Sequence, residues 1–515
     1  MRYGCATAAG RFPSRWFLGS PPMSTEPSAA PAAGTAGAPA ADAAGAAASV
    51  GSDARARAAR RRSTLAEKLA WGAGGATQSL VNTIYALAFP IYAIGLGVSP
   101  TLIGFAKAFP RLVDAFTDPV MGNLSDNTRS RWGRRRPYVF VGSVLIALTL
   151  PLIYMPNRGW PEWGLFAWFT GTTVLFFVAY TVWSIPWSAM GLEMSDDYND
   201  RTRLQIARML FATVAGLGAA WAYKACFWFD ADEVVGVRPV TWIIAGLMLC
   251  GGILAALFIR EWRPVADQPR TALLPALRIT LSNRPYLLLC GAVVFFAGGM
   301  VMTEPMLLYV NIYHVYGGDR DAASTIMGVS GSVGVVLGVA MLPVGGILSE
   351  RIGKRSAALA ALSLIVVGSA SQYWLVTPAS PYLQLASRAV FQPGIMLMWA
   401  LVPSMIADVC DLDELQTGRR REASYSSVYQ WIWKVGATVA MAVGGSLLAL
   451  AGADVDEKTE VLPPGVVSNL RLMLGVVPAL FGLIAFACVW RFPLTEATVD
   501  GIKRELGGEA PMSPS

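Results

Sequence analysis

Four charged side chains stand inside an apolar run, and their spacing is the first feature of the chain that could do chemistry. The run TLIGFAKAFPRLVDAFTDPVMGNLSDNT begins at Thr101 and carries Lys107, Arg111, Asp114 and Asp118. An interval of four places Asp114 and Asp118 on one helical face, with Arg111, three residues before Asp114, on the same side. At the centre of a membrane helix each charge costs roughly 2.5–3.5 kcal/mol, or about 10 kcal/mol for all four unpaired. Such residues therefore face a bundle interior or a wet cavity and mark an ion or substrate path. An internal Arg111–Asp114 pair accounts for one carboxylate and leaves the other. Two carboxylates a turn apart in low dielectric repel, so one holds a proton or both face cations. Hard cations take carboxylate and hydroxyl oxygens, and Thr117 offers a hydroxyl beside Asp118. The expected chemistry is capture of Na+ or H+ at Asp114 and Asp118.

Other polar residues inside apolar runs need partners too. Lys434, in YSSVYQWIWKVGATVAMAVGG, could balance the second carboxylate: two negative charges against one lysine and one bound cation are neutral. Tyr180, Thr181, Trp183, Ser184, Trp187 and Ser188 share one run; Arg208 opens the next; Glu304, Arg388, Gln392 and Trp433 lie further on. Aromatic faces beside hydroxyls suit a sugar-binding cavity, and they equally suit an interfacial aromatic belt. The lone histidine, His314, reads as an interfacial residue rather than a proton relay.

The elements that must position these residues are set by composition. Of 515 residues 54% are hydrophobic and 15% charged, with mean hydropathy +0.47, which excludes a soluble globular domain. Apolar runs of a length that spans hydrocarbon recur at about 69–96, 101–124, 137–157, 163–194, 205–228, 240–260, 285–315, 323–349, 356–377, 381–408, 423–452 and 466–492. The expected fold is all-α, a membrane protein of twelve transmembrane helices. Loops after the even runs hold the arginines and lysines; loops after the odd runs are poor in them or acidic. That alternation places both termini in the cytoplasm. It also assigns the net charge of +7 to membrane orientation rather than nucleic-acid binding. The six cysteines are scattered with no CxxC spacing, so neither a metal site nor a disulfide framework is expected.

Residues 1–62 differ from the rest: they are Ala/Pro/Gly/Ser-rich, without apolar periodicity, and read as a disordered tail. They contain no continuous apolar core of a signal peptide, and Met23 is an alternative start. The remainder divides into 63–260, a linker at 261–284, 285–495 and a tail at 496–515. The two halves repeat. GNLSDNTRSRWGRR, with Gly122, Asp126, Arg134 and Arg135, answers GGILSERIGKR, with Gly346, Glu350 and Lys354. A small residue, an acid at a helix end and a tight basic loop recur at matched positions, as expected for a gating motif in two pseudo-symmetric six-helix bundles around a cavity.

At these residues the chain resembles the glycoside–pentoside–hexuronide:cation symporters of the major facilitator superfamily, the family of the melibiose permease. RLVDAFTDPVMGNLSDNTRSRWGRRRP, YTVWSIPWSAMGLEMSDDYNDRTRLQIAR and MIADVCDLDELQTGRRREASYSSVYQWIWK match three family motifs in order, and the likeness extends over residues 65–495. The resemblance implies alternating access and assigns Asp114, Asp118, Thr117 and Thr181 to the cation site. It sets Lys434 near that site and Arg208 and Tyr180 beside the sugar site; Lys434 and Arg111 are the expected coupling residues. Where family members hold sugar hydroxyls with two aspartates, this chain has Ser79 (or Gln78) and Ser184. Serine forms weaker bonds to a sugar than a carboxylate does, so galactoside specificity does not transfer. The expected substrate cavity comprises Ser79, Gln78, Tyr180, Ser184, Trp187, Arg208, Glu304, Gln392 and Trp433. The function implied is import of a sugar or glycoside coupled to Na+ or H+. A sodium-dependent lysophospholipid symporter and a non-transporting sensor are the competing readings. No nucleophile–base pair or phosphate loop suggests an enzyme. No cofactor beyond the coupling cation is expected, and a monomer in the plasma (inner) membrane, among lipids, completes the expectation.

Overall fold

Helix starts are set by short polar side chains that satisfy free backbone donors. Thr64 and Glu67 form a reciprocal capping box ahead of α1 (Leu65–Leu80). Asp197, Asp232, Asn283 and Asp319 each accept a backbone N–H in the first turn of the helix that follows them. In the computed structural model, residues 63–195, 197–261, 283–418, 421–453 and 461–506 are described, all within one unit, Arg61–Ser515. The 1–62 tail and all but the ends of the 261–284 linker lie outside the described residues.

The first bundle continues with α2 (Asn82–Ala88), α3 (Pro100–Asn127), α4 (Arg136–Ile153), α5 (Glu162–Glu193), α6 (Tyr198–Ala220), α7 (Ala222–Cys226) and α8 (Glu233–Phe258). The second holds α9 (Arg284–Tyr309), α10 (Arg320–Ile352), α11 (Lys354–Leu375), α12 (Gln384–Thr417), α13 (Glu422–Leu450) and α14 (Pro464–Trp490). A last helix, α15 (Glu496–Leu506), occupies what the sequence suggested was only a tail. Its spacing of Val499 and Ile502 gives one apolar edge, which is buried on the second bundle's core.

Among the described residues nine helices are long and apolar enough to cross a membrane: α4, α5 and α8 to α14. The other three expected spans are helical as well. α1 with α2 is interrupted at Val81, α3 carries the four buried-run charges, and α6 carries Arg201, Arg203 and Arg208. A π-helical turn closes the first span of each bundle, at Phe89–Gly95 and at Val310–Val315, a repeat that the sequence did not announce.

α3 and α13 run antiparallel across the seam between the bundles. Gly104 lies against Gly445, and further along Asp118 meets Lys434. The Asn127 end of α3 and the Glu422 end of α13 thus share one face, here called the basic face. The apolar core is unequal on the two sides. One cluster joins the first bundle to residues of the second that all lie toward the opposite face, among them Tyr309, Ile312, Ala323, Leu448 and Leu470. A second cluster belongs to the second bundle alone. The bundles are therefore fused at the opposite face.

Candidate functional site

The site begins with α3, where Pro110 and Pro119 interrupt the hydrogen-bond ladder on either side of the aspartates. Asp114 is buried at 4% exposure, and its Oδ1 has no hydrogen-bond partner. Its Oδ2 lies 3.9 Å from Arg111, the outer limit of an ion pair. The guanidinium is held instead over two rings, Tyr85 at 5.1 Å and Phe177 at 5.4 Å. Asp118, one turn on, accepts a hydrogen bond from Thr181 of α5 at 3.2 Å and forms an ion pair with Lys434 of α13. Thr117 lies 3.5 Å from the Thr181 hydroxyl. Asp114, Asp118, Thr117, Thr181, Lys434 and Arg111 are thus gathered at the seam. Each aspartate already has a cationic neighbour, so the charge balance differs from that drawn from sequence: the second positive charge is Arg111, and no ion is required for neutrality. Lys107 lies apart, donating to the Tyr85 carbonyl at 3.1 Å over the Phe89 ring.

The nine residues expected to line a substrate cavity divide. Arg208 reaches Gln78 at 3.4 Å, with Ser79, Tyr180 and Ser184 half-buried nearby on the same three helices, α1, α5 and α6. Trp187 is corrected to a core residue. It is fully buried, stacked between Trp71 at 4.3 Å and Trp183 at 4.9 Å. The reason is complementarity with glycine: a Cβ at Gly74 would come within 2.2 Å of the Trp187 ring, and one at Gly191 within 2.0 Å of Trp71. Trp433 packs edge-on against Trp399 at 4.9 Å in the second bundle's core and does not line the cavity described next. Gln392 is buried, its amide oxygen against Gly334.

A cavity of about 320 Å³ lies at the seam toward the opposite face. That volume is in the range of small-ligand pockets. Asn82 and Tyr223 of the first bundle and Glu304, Asn311, Gln384 and Arg388 of the second supply its polar lining. Of the nine expected residues, Glu304 alone lines it.

The gating motif is a network at the basic face. Arg135 bridges Asp126 at 2.7 Å and Glu193 at 2.8 Å, and Arg134 also reaches Glu193 at 2.9 Å. Glu261 accepts the backbone N–H groups of Arg134, Arg135 and Arg136. In the second bundle Lys354 pairs with Asp408 at 2.7 Å, whereas Glu350, the repeated acid, is exposed. Gly122 and Gly346 face open space or a loose contact, so tight packing does not demand glycine there. Glu193, Glu261 and Asp408 were missed from sequence; their signal was an acid near the basic-face ends of α5, α8 and α12. Beside this network Asp200 binds Ser63 (2.6 and 2.7 Å) and Lys68 (2.7 Å). Burial would raise its carboxyl, but the Lys68 ammonium and the Ser63 donors outweigh that and hold it well below the usual carboxylate range.

An acidic pair with its cationic neighbours and a cavity lie at one seam between two helical bundles. The class is a multi-pass secondary transporter of the major facilitator superfamily. The family model described as MFS/sugar transport protein matches residues 70–496, and the chain belongs to that family, the glycoside–pentoside–hexuronide symporters. It is similar to the glucuronide carrier protein homolog of Escherichia coli, 26% identical over 80% of this chain and 88% of that one. It is also similar to the isoprimeverose transporter of Lactiplantibacillus pentosus, 24% identical over 73% and 77%. In fold it matches the crystal structure of the nucleoside transporter NupG, with a TM-score of 0.59 and 12% identity over 84% and 100% of the two chains.

Proposed function

We propose that the chain imports a sugar or glycoside together with Na+ or H+, and that Asp114 and Asp118 hold the coupling ion. The single observation that carries this is the Asp118–Lys434–Thr181 junction across the seam, beside an Asp114 oxygen that has no partner. Four oxygen-bearing side chains there suit a hard monovalent ion, which would be taken as cargo. Because Lys434 occupies Asp118, the ion must displace the ammonium, and displacement frees α13 from α3. Ion binding thus carries a differential energy between two arrangements of the bundles, which is what coupling requires. The relatives named for a glucuronide and for isoprimeverose support a sugar as the other cargo. The excess of arginine in the loops of the basic face supports a cytoplasmic orientation for that face and both termini, and an inner-membrane location belongs to the same proposal.

The test is uptake or counterflow in proteoliposomes with Asp118→Asn. Cation-stimulated transport should fall to background while the protein keeps its elution profile and thermal stability. Equal sodium and proton stimulation in variant and wild type would remove the basis for the mechanism.

A further inference from the structure

Two charged side chains line the cavity toward the opposite face, one with a buried unpartnered nitrogen and one exposed to the space. Arg388, on α12, presents a guanidinium whose Nε is buried without a partner. Gly334 of α10 makes the space for it, since a Cβ there would come within 2.9 Å of that nitrogen. Glu304, on α9, lines the same cavity and forms no ion pair within 4 Å among the described residues, although its charge acts on both Arg388 and Lys107. Lys107 is already served by the Tyr85 carbonyl, so it does not neutralise the carboxylate by contact. A buried guanidinium nitrogen without a hydrogen bond is costly, and a ligand that bonds to it while donating to the exposed Glu304 carboxylate in the same cavity removes that cost.

We infer that Glu304 and Arg388 are the specificity-determining pair for the sugar, and that the ligand is an uncharged glycoside held between them. Hydroxyl groups donate to the Glu304 carboxylate, and hydroxyl or ring oxygens accept from Arg388. Asn311 and Gln384, which bond to each other at 3.0 and 3.2 Å, complete the polar wall. The sugar-holding carboxylate thus comes from the second bundle, where the first bundle offers only Ser79 and Ser184. A free uronate carboxylate, by contrast, would enter a chamber that already contains the Glu304 charge. The inference rests on the symport reading, and the experiment separates the two.

Purified full-length protein is tested with methyl β-D-glucopyranoside, methyl β-D-xylopyranoside and methyl β-D-glucuronide, with and without NaCl, by thermal shift and isothermal titration. Wild type should bind a neutral glycoside more tightly than the uronide. Glu304→Gln and Arg388→Gln should each weaken that binding by about tenfold to a hundredfold, the loss expected for one hydrogen bond to a charged group. Both should keep the wild-type stabilisation by NaCl, which also shows that they fold. Glu304→Asp should recover part of the affinity. Undiminished neutral-glycoside binding by Glu304→Gln would overturn this inference and leave symport standing, as would preference for the uronide. A wild type that responds to NaCl but binds no member of the set would overturn both this inference and the sugar reading.

Discussion

In the proposed cation mechanism Lys434 is the pivotal residue. Its ammonium holds the position beside Asp118 that a cation must take, and both side chains are partly exposed at 31% and 23%. Replacing it with glutamine removes the competitor and leaves the cage with one more net negative charge. Lys434→Gln should therefore bind Na+ on the order of tenfold more tightly, since close unit charges interact by about 4 kcal/mol at an effective dielectric of 20 and part of this is screened. Turnover should fall, because the ion is then released slowly and nothing resets α13 against α3. Sodium titration by thermal shift, set beside exchange rates in proteoliposomes, reads both; weaker sodium binding in the variant would contradict the displacement. The acidic pair and its lysine were legible in the sequence because a charge inside hydrocarbon is too costly to be incidental. Trp187 was misread because an indole looks alike in a cavity and in a core. What decides the matter is glycine packed against the stacked rings, Gly74 on α1 against Trp187 and Gly191 on α5 against Trp71, and single-residue reasoning does not see that complementarity.

At the scale of elements, helix positions were legible from apolar runs and caps, while the ties between their ends were not. α3 and α6 carry enough charge to escape a hydropathy criterion yet occupy the expected places, since buried charges lower the average without breaking the helix. Asp126 and Arg135 are close in sequence and were expected together; Glu193, Glu261 and Asp408 join from distant helices, which no local pattern encodes. The same applies to Asp200, which ties the start of α1 to the start of α6 through Ser63 and Lys68. Asp200→Asn should lower stability by about 1–3 kcal/mol, the cost of losing hydrogen bonds to a charged group. The pH dependence follows from the direction of its shift. A carboxyl held below its unfolded-state value stabilises the fold at every pH above that value, near 4, and loses the contribution as pH falls further toward the folded-state value. Thermal melts of wild type and variant should therefore differ at pH 7 and at pH 5 alike, and the gap should begin to narrow only below about pH 4. A gap that closed between pH 7 and pH 5 would assign the stabilisation to another group.

The whole molecule is closed at one end by packing rather than by charge alone. One apolar cluster runs across the seam at the opposite face, with Arg320–Glu233 and Lys224–Asp321 ion pairs and a Trp221–Ser332 hydrogen bond (2.9 Å) around it. On the basic-face side of the acidic pair, Arg134–Glu193, Arg135–Glu193, Lys354–Asp408 and Arg421–Asp413 each stay within one bundle. The seam is thus held at the opposite face. Its tightest point is the crossing of α3 and α13, where a Cβ at Gly445 would sit 2.2 Å from the Pro100 carbonyl oxygen and 2.9 Å from the Gly104 Cα. These are backbone atoms, so a larger residue must separate the helices rather than repack a side chain. Gly445→Leu should therefore wedge the opposite face open. In a background lacking the native cysteines, Ser330→Cys, which lines the cavity, should then react several-fold faster with an impermeant maleimide applied from that side. Gly346→Ala serves as the contrast: nothing lies within 4 Å of its added carbon, and labelling should stay at the wild-type rate. If Gly445→Leu folds, binds sodium and labels no faster, closure does not depend on the α3–α13 crossing, and the apolar cluster with the ion pairs around Arg320 and Lys224 must hold that face shut.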